Sequence, residues 1–126
     1  MRLIQRFATG LCLGLYVWHA IADDTPAYIT PVSVAELVEQ GFDGVILDVR
    51  TPEEFAQAHI PNALNVPHPL LTNHLATLGK TDTPLLVYCR SGRRARIAMA
   101  QLHDLGYRKL YHLSGDMQAW QAYSKP

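Results

Sequence analysis

The chain has 126 residues, 48% of them hydrophobic, and eleven Lys plus Arg balance eleven Asp plus Glu. That length bounds a single small domain, and the lack of any basic excess gives no sign of a nucleic-acid partner. Function has to be sought in local patterns instead.

At the amino terminus Arg2 and Arg6 precede an apolar run from Phe7 to Trp18 that ends at Ala20-Ile21-Ala22. A basic start, an apolar middle and an A-x-A close are the three regions of a secretory signal, so residues 1–22 are predicted to be removed, leaving a domain over 23–126. The run is about a dozen residues, short of the ~20 that cross hydrocarbon, so no stable membrane anchor is expected after cleavage. Cys12 would leave with the signal, since Leu11 stands where a lipid-attachment site wants a small residue. Cys89 then becomes the one cysteine of an exported protein, bound for a compartment where thiols usually pair. A lone thiol there is either an apolar filler or a reactive group, and its neighbours decide which.

Along the rest of the chain, Ser33 and Glu36 form a capping box for a helix over 34–40, closed by Gly41. Val45-Ile46-Leu47-Asp48-Val49 is a short apolar run rich in branched residues and reads as a buried parallel strand. Thr51-Pro52-Glu53-Glu54 supplies an N-cap, a first-turn proline and an acidic third residue for a helix through Ala58. After the break at His59-Ile60-Pro61-Asn62, residues 63–66 can form a short strand, and one helix is expected around 70–78, stopped by Gly79. Leu85-Leu86-Val87-Tyr88 is the second clear buried strand, with Cys89 at its carboxyl end. Residues 93–105 read as a helix with Ala95, Ala98, Met99, Leu102 and Leu105 on one side, followed by a strand near 109–113 and a short helix carrying Trp120. Strands alternating with helices predict an α/β fold, a mostly parallel sheet of about five strands covered on both faces, with sites beyond the strands' carboxyl ends.

Cys89-Arg90-Ser91-Gly92-Arg93-Arg94 joins a buried strand to a helix amino terminus, where unpaired N–H groups and the helix dipole favour negative charge. Gly92 lets the backbone curl, Ser91 offers a hydroxyl, and Arg90, Arg93, Arg94 and Arg96 concentrate positive charge, so the thiol is expected to ionise below its usual ~8.5. The loop therefore reads as an anion-binding turn built around a nucleophile.

Three ordered motifs carry a resemblance: Leu47-Asp48-Val49-Arg50-Thr51-Pro52-Glu53-Glu54-Phe55, then His59-Ile60-Pro61-Asn62-Ala63, then Tyr88-Cys89-Arg90-Ser91-Gly92-Arg93-Arg94. With a degenerate closing signature, Leu113-Ser114-Gly115-Asp116 followed by Trp120, the chain from about Ile29 to Trp120 resembles a single-domain rhodanese, similar to periplasmic phage-shock-type members. The resemblance implies sulfur transfer: the Cys89 thiolate takes the outer sulfur of a small anionic donor such as thiosulfate, becomes a persulfide, and passes the sulfur to a thiophilic acceptor, cyanide or a thiol. It implies no metal and no organic cofactor, and a monomer or weak dimer. Arg90, Ser91, Gly92, Arg93 and Arg94 would bind substrate, chiefly through the backbone.

Asp48 and Arg50 end the first clear strand at the same rim as Cys89 and are expected to support the site, Arg50 by pairing with Glu54, Glu53 or Asp48, and Asp48 by accepting hydrogen bonds from loop backbone. His59 is read as part of a structural turn. His68, His74, His103 and His112 show no metal-ligand spacing and are read as solvated or turn residues. Two departures from the family pattern touch the pocket rim: Ala58 replaces the glycine usual before His-Ile-Pro, and Asp116 replaces the second glycine of the closing motif. Two rival readings remain. One is a non-catalytic persulfide carrier or protein-binding module. The other is a phosphatase-like or arsenate-reducing enzyme, disfavoured because its pattern needs His before the cysteine and Arg six residues after it, where this chain has Tyr88 and Ala95.

Overall fold

A computed structural model describes residues 24–124. The predicted signal and Cys12 lie outside the described residues. Five parallel strands run in the order β1-β5-β4-β2-β3, comprising β1 (Ile29–Val32), β2 (Val45–Asp48), β3 (Leu64–Asn65), β4 (Leu85–Tyr88) and β5 (Leu110–Leu113). The helices are α1 (Val34–Gln40), α2 (Pro52–Gln57), α3 (Leu75–Leu78), α4 (Arg93–Asp104) and α5 (Asp116–Ser124). Helices cover both faces of the sheet, as expected of an α/β fold. Among the described residues no helix is long and apolar enough to cross a membrane.

Side chains alternate across β4 and divide the core in two. Leu85 and Val87 pack with Ala95, Ala98, Met99 and Leu102 of α4, while Leu86 and Tyr88 pack with Val34 and Leu37 of α1 and Met117 of α5. β4 is therefore fully buried, and its register with β2, Val45 opposite Leu85 through Asp48 opposite Tyr88, brings Asp48 and Cys89 to one rim. The two strands begin close together at Gly44, where a Cβ would stand 2.4 Å from the Pro84 carbonyl oxygen. No larger residue fits there without moving backbone.

Two elements differ from the sequence reading. Residues 70–78 were expected to be one helix, but a 3-10 helix over His68–Asn73 ends at His74, whose φ of -125° is not helical, before α3 resumes. Pro67 and Pro69 set that tight first turn. β1, which contains Pro31, is an added strand in a segment for which the sequence reading names no element. It lies at the sheet edge, paired only with β5, where a residue lacking an N–H is tolerated.

At the carboxyl end of β2 the buried Asp48 and Arg50 form a forked pair. The Arg50 Nη2 donates to Asp48 Oδ2 at 2.7 Å and to the Ala58 carbonyl at 2.7 Å, and the Nε donates to Asp48 Oδ1 at 3.0 Å. Burial works against the Arg50 charge, but the hydrogen bonds and charge of Asp48 outweigh it and hold the guanidinium above its ordinary pKa. Of the partners expected for Arg50, the structure thus selects Asp48. Asn65 bonds both the Asp48 and Arg50 carbonyls, and the Arg50 guanidinium lies 5.7 Å from the centre of the Tyr88 ring. Removing one member leaves the other's charge buried and unpaired. Asp48→Ala is expected to lower the free energy of unfolding in urea by about 3–5 kcal/mol, with a smaller loss when both residues are replaced by apolar ones of similar volume.

Candidate active site

Cys89 follows the last residue of β4 and is nearly buried, at 2% exposure. The chain then turns through Arg90, Ser91 and Gly92, and α4 begins at Arg93. Gly92, at φ 118°, is the N-cap of α4, and its N–H donates to Cys89 Sγ at 3.0 Å. That φ is open to glycine and strained for other residues. A Cβ on Gly92 would also stand 3.1 Å from Asp116 Oδ2.

Three carbonyls of the loop are engaged by neighbouring main chain. The Met117 N–H donates to the Cys89 carbonyl at 3.0 Å and the Gln118 N–H to the Arg90 carbonyl at 3.2 Å, so the first turn of α5 holds the loop's outer side. These two amides belong to the group that an α-helix leaves without intrahelical partners. The Gly92 carbonyl is the acceptor for the Arg96 N–H at 3.0 Å and starts α4. The result is a main-chain turn at a helix amino terminus with one N–H on the sulfur atom, an arrangement suited to holding it as an anion.

The predicted loop residues divide by position. Ser91 and Arg93 are exposed and line an open cleft of about 660 Å³ together with Gly92, Arg96, His112 and Asp116. Arg90 faces the other flank, a cleft of about 450 Å³ whose lining includes Arg50, Glu54 and Gln118. Arg94 instead grips Glu54 of α2 through two bonds of 2.6 and 2.9 Å. The arginines are thus brought to the site's edges, and Gly92 is the loop residue seen in contact with the sulfur.

The Arg94 pair shifts both partners. The Glu54 bond holds Arg94 above its ordinary pKa against the effect of burial, with smaller help from the charges of Glu54, Cys89 and Asp48. Glu54 falls from the usual 4.5 to about 2, mainly because of the Arg94 hydrogen bond and in spite of burial, with help from Thr51. Thr51 and Glu54 also complete a reciprocal capping box at the start of α2. His68 is pushed below its ordinary value by burial first and then by the charges of Arg94 and Arg93.

Two features escaped the sequence reading. Asp48 was expected to accept from the cysteine loop, but its Oδ1 takes the Arg50 amide at 2.9 Å, and the Cys89 N–H goes to Asp116 Oδ1 at 2.9 Å. Asp116 is 1% exposed and has His112 Nε2 at 3.0 and 3.1 Å from its two oxygens. His112 is therefore a paired residue at the site, where the sequence placed it among solvated and turn histidines. The only signal for this pair was the aspartate standing in a position where a second glycine is usual. His59 is as read, a turn residue, with Nδ1 2.8 Å from the Phe55 carbonyl oxygen and its ring stacked on Phe55.

A single α/β domain with a cysteine turn at the carboxyl end of a central parallel strand defines the class. The family described as the rhodanese-like domain matches residues 30–123, and the chain belongs to it. A sulfurtransferase of Allochromatium vinosum is 35% identical over 94 residues, 75% of this chain and 87% of that protein. The thiosulfate sulfurtransferase GlpE of Ectopseudomonas mendocina is 32% identical over 94 residues, 75% of this chain and 84% of that one. Among solved structures, a rhodanese-related protein of Thermoplasma volcanium superposes with a TM-score of 0.67 at 29% identity, covering 77% of this chain and 95% of that one. Membership supports sulfur-transferring enzymatic activity at the level of the family.

Because the Glu54 carboxyl titrates lower in the folded chain than when unfolded, the Arg94 pair stabilises above about pH 4.5 and loses that contribution as pH falls through about 2. Glu54 is 29% exposed, and solvent screening reduces the gain to about 1 kcal/mol. Glu54→Gln should therefore be less stable than the parent by about that amount near neutral pH, with the gap narrowing below about pH 4.5 in denaturant titrations. A gap independent of pH would contradict the assignment.

Proposed function

We propose that the chain is a sulfurtransferase that carries sulfane sulfur on Cys89, with thiosulfate or a similar small anion as donor and cyanide or a thiol as acceptor. The observation that carries this reading is the Gly92 N–H aimed at Cys89 Sγ at 3.0 Å, at the start of α4. A thiolate there is met by a main-chain dipole already in place, so charge on sulfur needs no rearrangement of the loop.

In the first half-reaction the Cys89 thiolate attacks the outer sulfur of thiosulfate. A new S–S bond forms on Cys89, the donor's S–S bond breaks, and sulfite leaves with the bonding pair. The product is an anionic persulfide held at the same turn. In the second half-reaction the acceptor attacks the outer sulfur, and the thiolate of Cys89 is the leaving group. Arg90 on one flank and Arg93 with Arg96 on the other draw the anionic donor to the rim. No metal or organic cofactor enters this scheme. Within the same proposal residues 1–22 act as an export signal and the domain works in the periplasm, on the strength of Arg2, Arg6, the apolar run and Ala20-Ile21-Ala22.

Two findings weigh against a phosphatase-like chemistry. Ala95 is buried in the core where the closing arginine of that pattern would have to reach the loop, and Arg94 is engaged by Glu54. The carrier reading differs from the enzyme only in turnover.

Intact mass of the exported, purified chain tests the reading in one experiment. The untreated mass should correspond to a chain beginning at Asp23. Thiosulfate should add about 32 Da, cyanide should remove it, and Cys89→Ser should add none. A stable adduct that no thiophile discharges favours the carrier, and no adduct at all overturns the sulfur-transfer proposal.

A further inference from the structure

The mechanism above leaves one buried ionisable group at the site unused. Asp116 is 1% exposed, and its backbone sits at φ 56°, a left-handed conformation uncommon for a residue with a side chain. Aspartate tolerates that region better than most residues, and its carboxylate here is fully engaged. Oδ1 accepts the Cys89 N–H at 2.9 Å, and both oxygens lie 3.0–3.1 Å from His112 Nε2, the ring nitrogen placed to donate to a carboxylate.

The same carboxylate reaches the other half of the sulfur contact. The space beside the Gly92 Cα is closed by Asp116 Oδ2, with the His112 Cε1 and Nε2 behind it at 3.7 and 3.9 Å from where a Cβ would stand. Cys89 and Gly92 are the residues whose Sγ and N–H meet at 3.0 Å, and both rest on Asp116. The amide that Asp116 holds is three covalent bonds from Sγ, so its position sets where the sulfur stands.

We propose that Asp116, oriented by His112, is a positioning residue for Cys89, fixing the nucleophile's amide and the Gly92 turn so that sulfur and N–H stay in register. This rests on Cys89 being the reactive sulfur. Asp116 touches no substrate and acts through the cysteine's backbone. His112 keeps both oxygens from rotating away, much as a second hydrogen bond fixes the orientation of a metal ligand.

Charge alone predicts the opposite behaviour, which makes the idea testable. A carboxylate beside a sulfur anion repels it, so deleting Asp116 should speed Cys89 if charge dominates and slow it if positioning does. Asp116→Gly suits the φ of 56° and removes the acceptor, whereas Asp116→Asn also tolerates that backbone and keeps an oxygen for the Cys89 amide. His112→Phe removes the orienting N–H and keeps a ring.

The experiment measures two rates on each purified variant by intact mass: persulfide formation across a thiosulfate series, and alkylation of Cys89 by iodoacetamide. We expect Asp116→Gly to lose about tenfold or more in the saturating persulfidation rate and to alkylate more slowly, with the donor KM changed less than about twofold. Asp116→Asn should recover most of both rates, and His112→Phe should fall between. Asp116→Gly that equals or exceeds the parent in both assays overturns the inference, as does Asp116→Asn that is as slow as Asp116→Gly. A raised donor KM with an unchanged saturating rate also overturns it, moving the pair into donor binding. If the parent alkylates but takes no sulfur, the function proposal fails while the alkylation order still decides this one.

Discussion

The structure depends on a single turn of main chain being held so that the Gly92 N–H meets the Cys89 sulfur. Cysteine and glycine supply the atoms, Sγ and N–H at 3.0 Å, but neither could keep the turn in place. That task falls to the two elements on either side. β4 is buried on both faces and delivers Cys89 at a fixed height, and α5 engages the Cys89 and Arg90 carbonyls through the amides of Met117 and Gln118. With the Cys89 and Arg90 carbonyls held from the α5 side, the Gly92 N–H stays on the sulfur, and an anion there is met by a dipole that need not reorganise.

A second layer of constraint comes from charge pairs of different burial. Asp48 and Arg50 lie almost out of solvent and tie the end of β2 to the Ala58 carbonyl after α2, with Asn65 bonding the same segment from the β3 side. Such a pair adds little net stability over an apolar replacement, but it specifies a geometry, and its disruption is costly. Glu54 and Arg94 are partly exposed and bridge α2 to the first turn of α4, the helix whose start forms the turn. Arg90, Arg93 and Arg96 of the loop and first turns of α4 line the two clefts, with Arg50 beside Arg90.

Much of this was legible in the sequence because it is local. The runs 45–49 and 85–88 announce buried parallel strands, Thr51-Pro52-Glu53-Glu54 announces a helix start, and a cysteine followed by Arg-Ser-Gly-Arg-Arg after a buried strand announces an anion-binding turn. Side-chain pairings across the sheet were not legible. Arg50 had several acidic residues within reach, and only the fold selects Asp48. The Cys89 amide finds Asp116 27 positions away because β5 lies beside β4 and delivers the turn into α5 to the same rim. β1 was not legible either, since a strand that holds a proline suits only an edge, and edge or centre is a property of the whole sheet.

The central claim is that main chain, more than arginine side chains, holds the Cys89 sulfur, and amide resonances report it directly. In two-dimensional nitrogen–proton spectra of the labelled domain, loading Cys89 from thiosulfate should shift the Gly92 amide most, followed by its loop neighbours, while amides of β1 at the sheet edge stay in place. Sulfur gained on Cys89 with the Gly92 amide unmoved would show that the turn does not hold it, and the account would be wrong at its base.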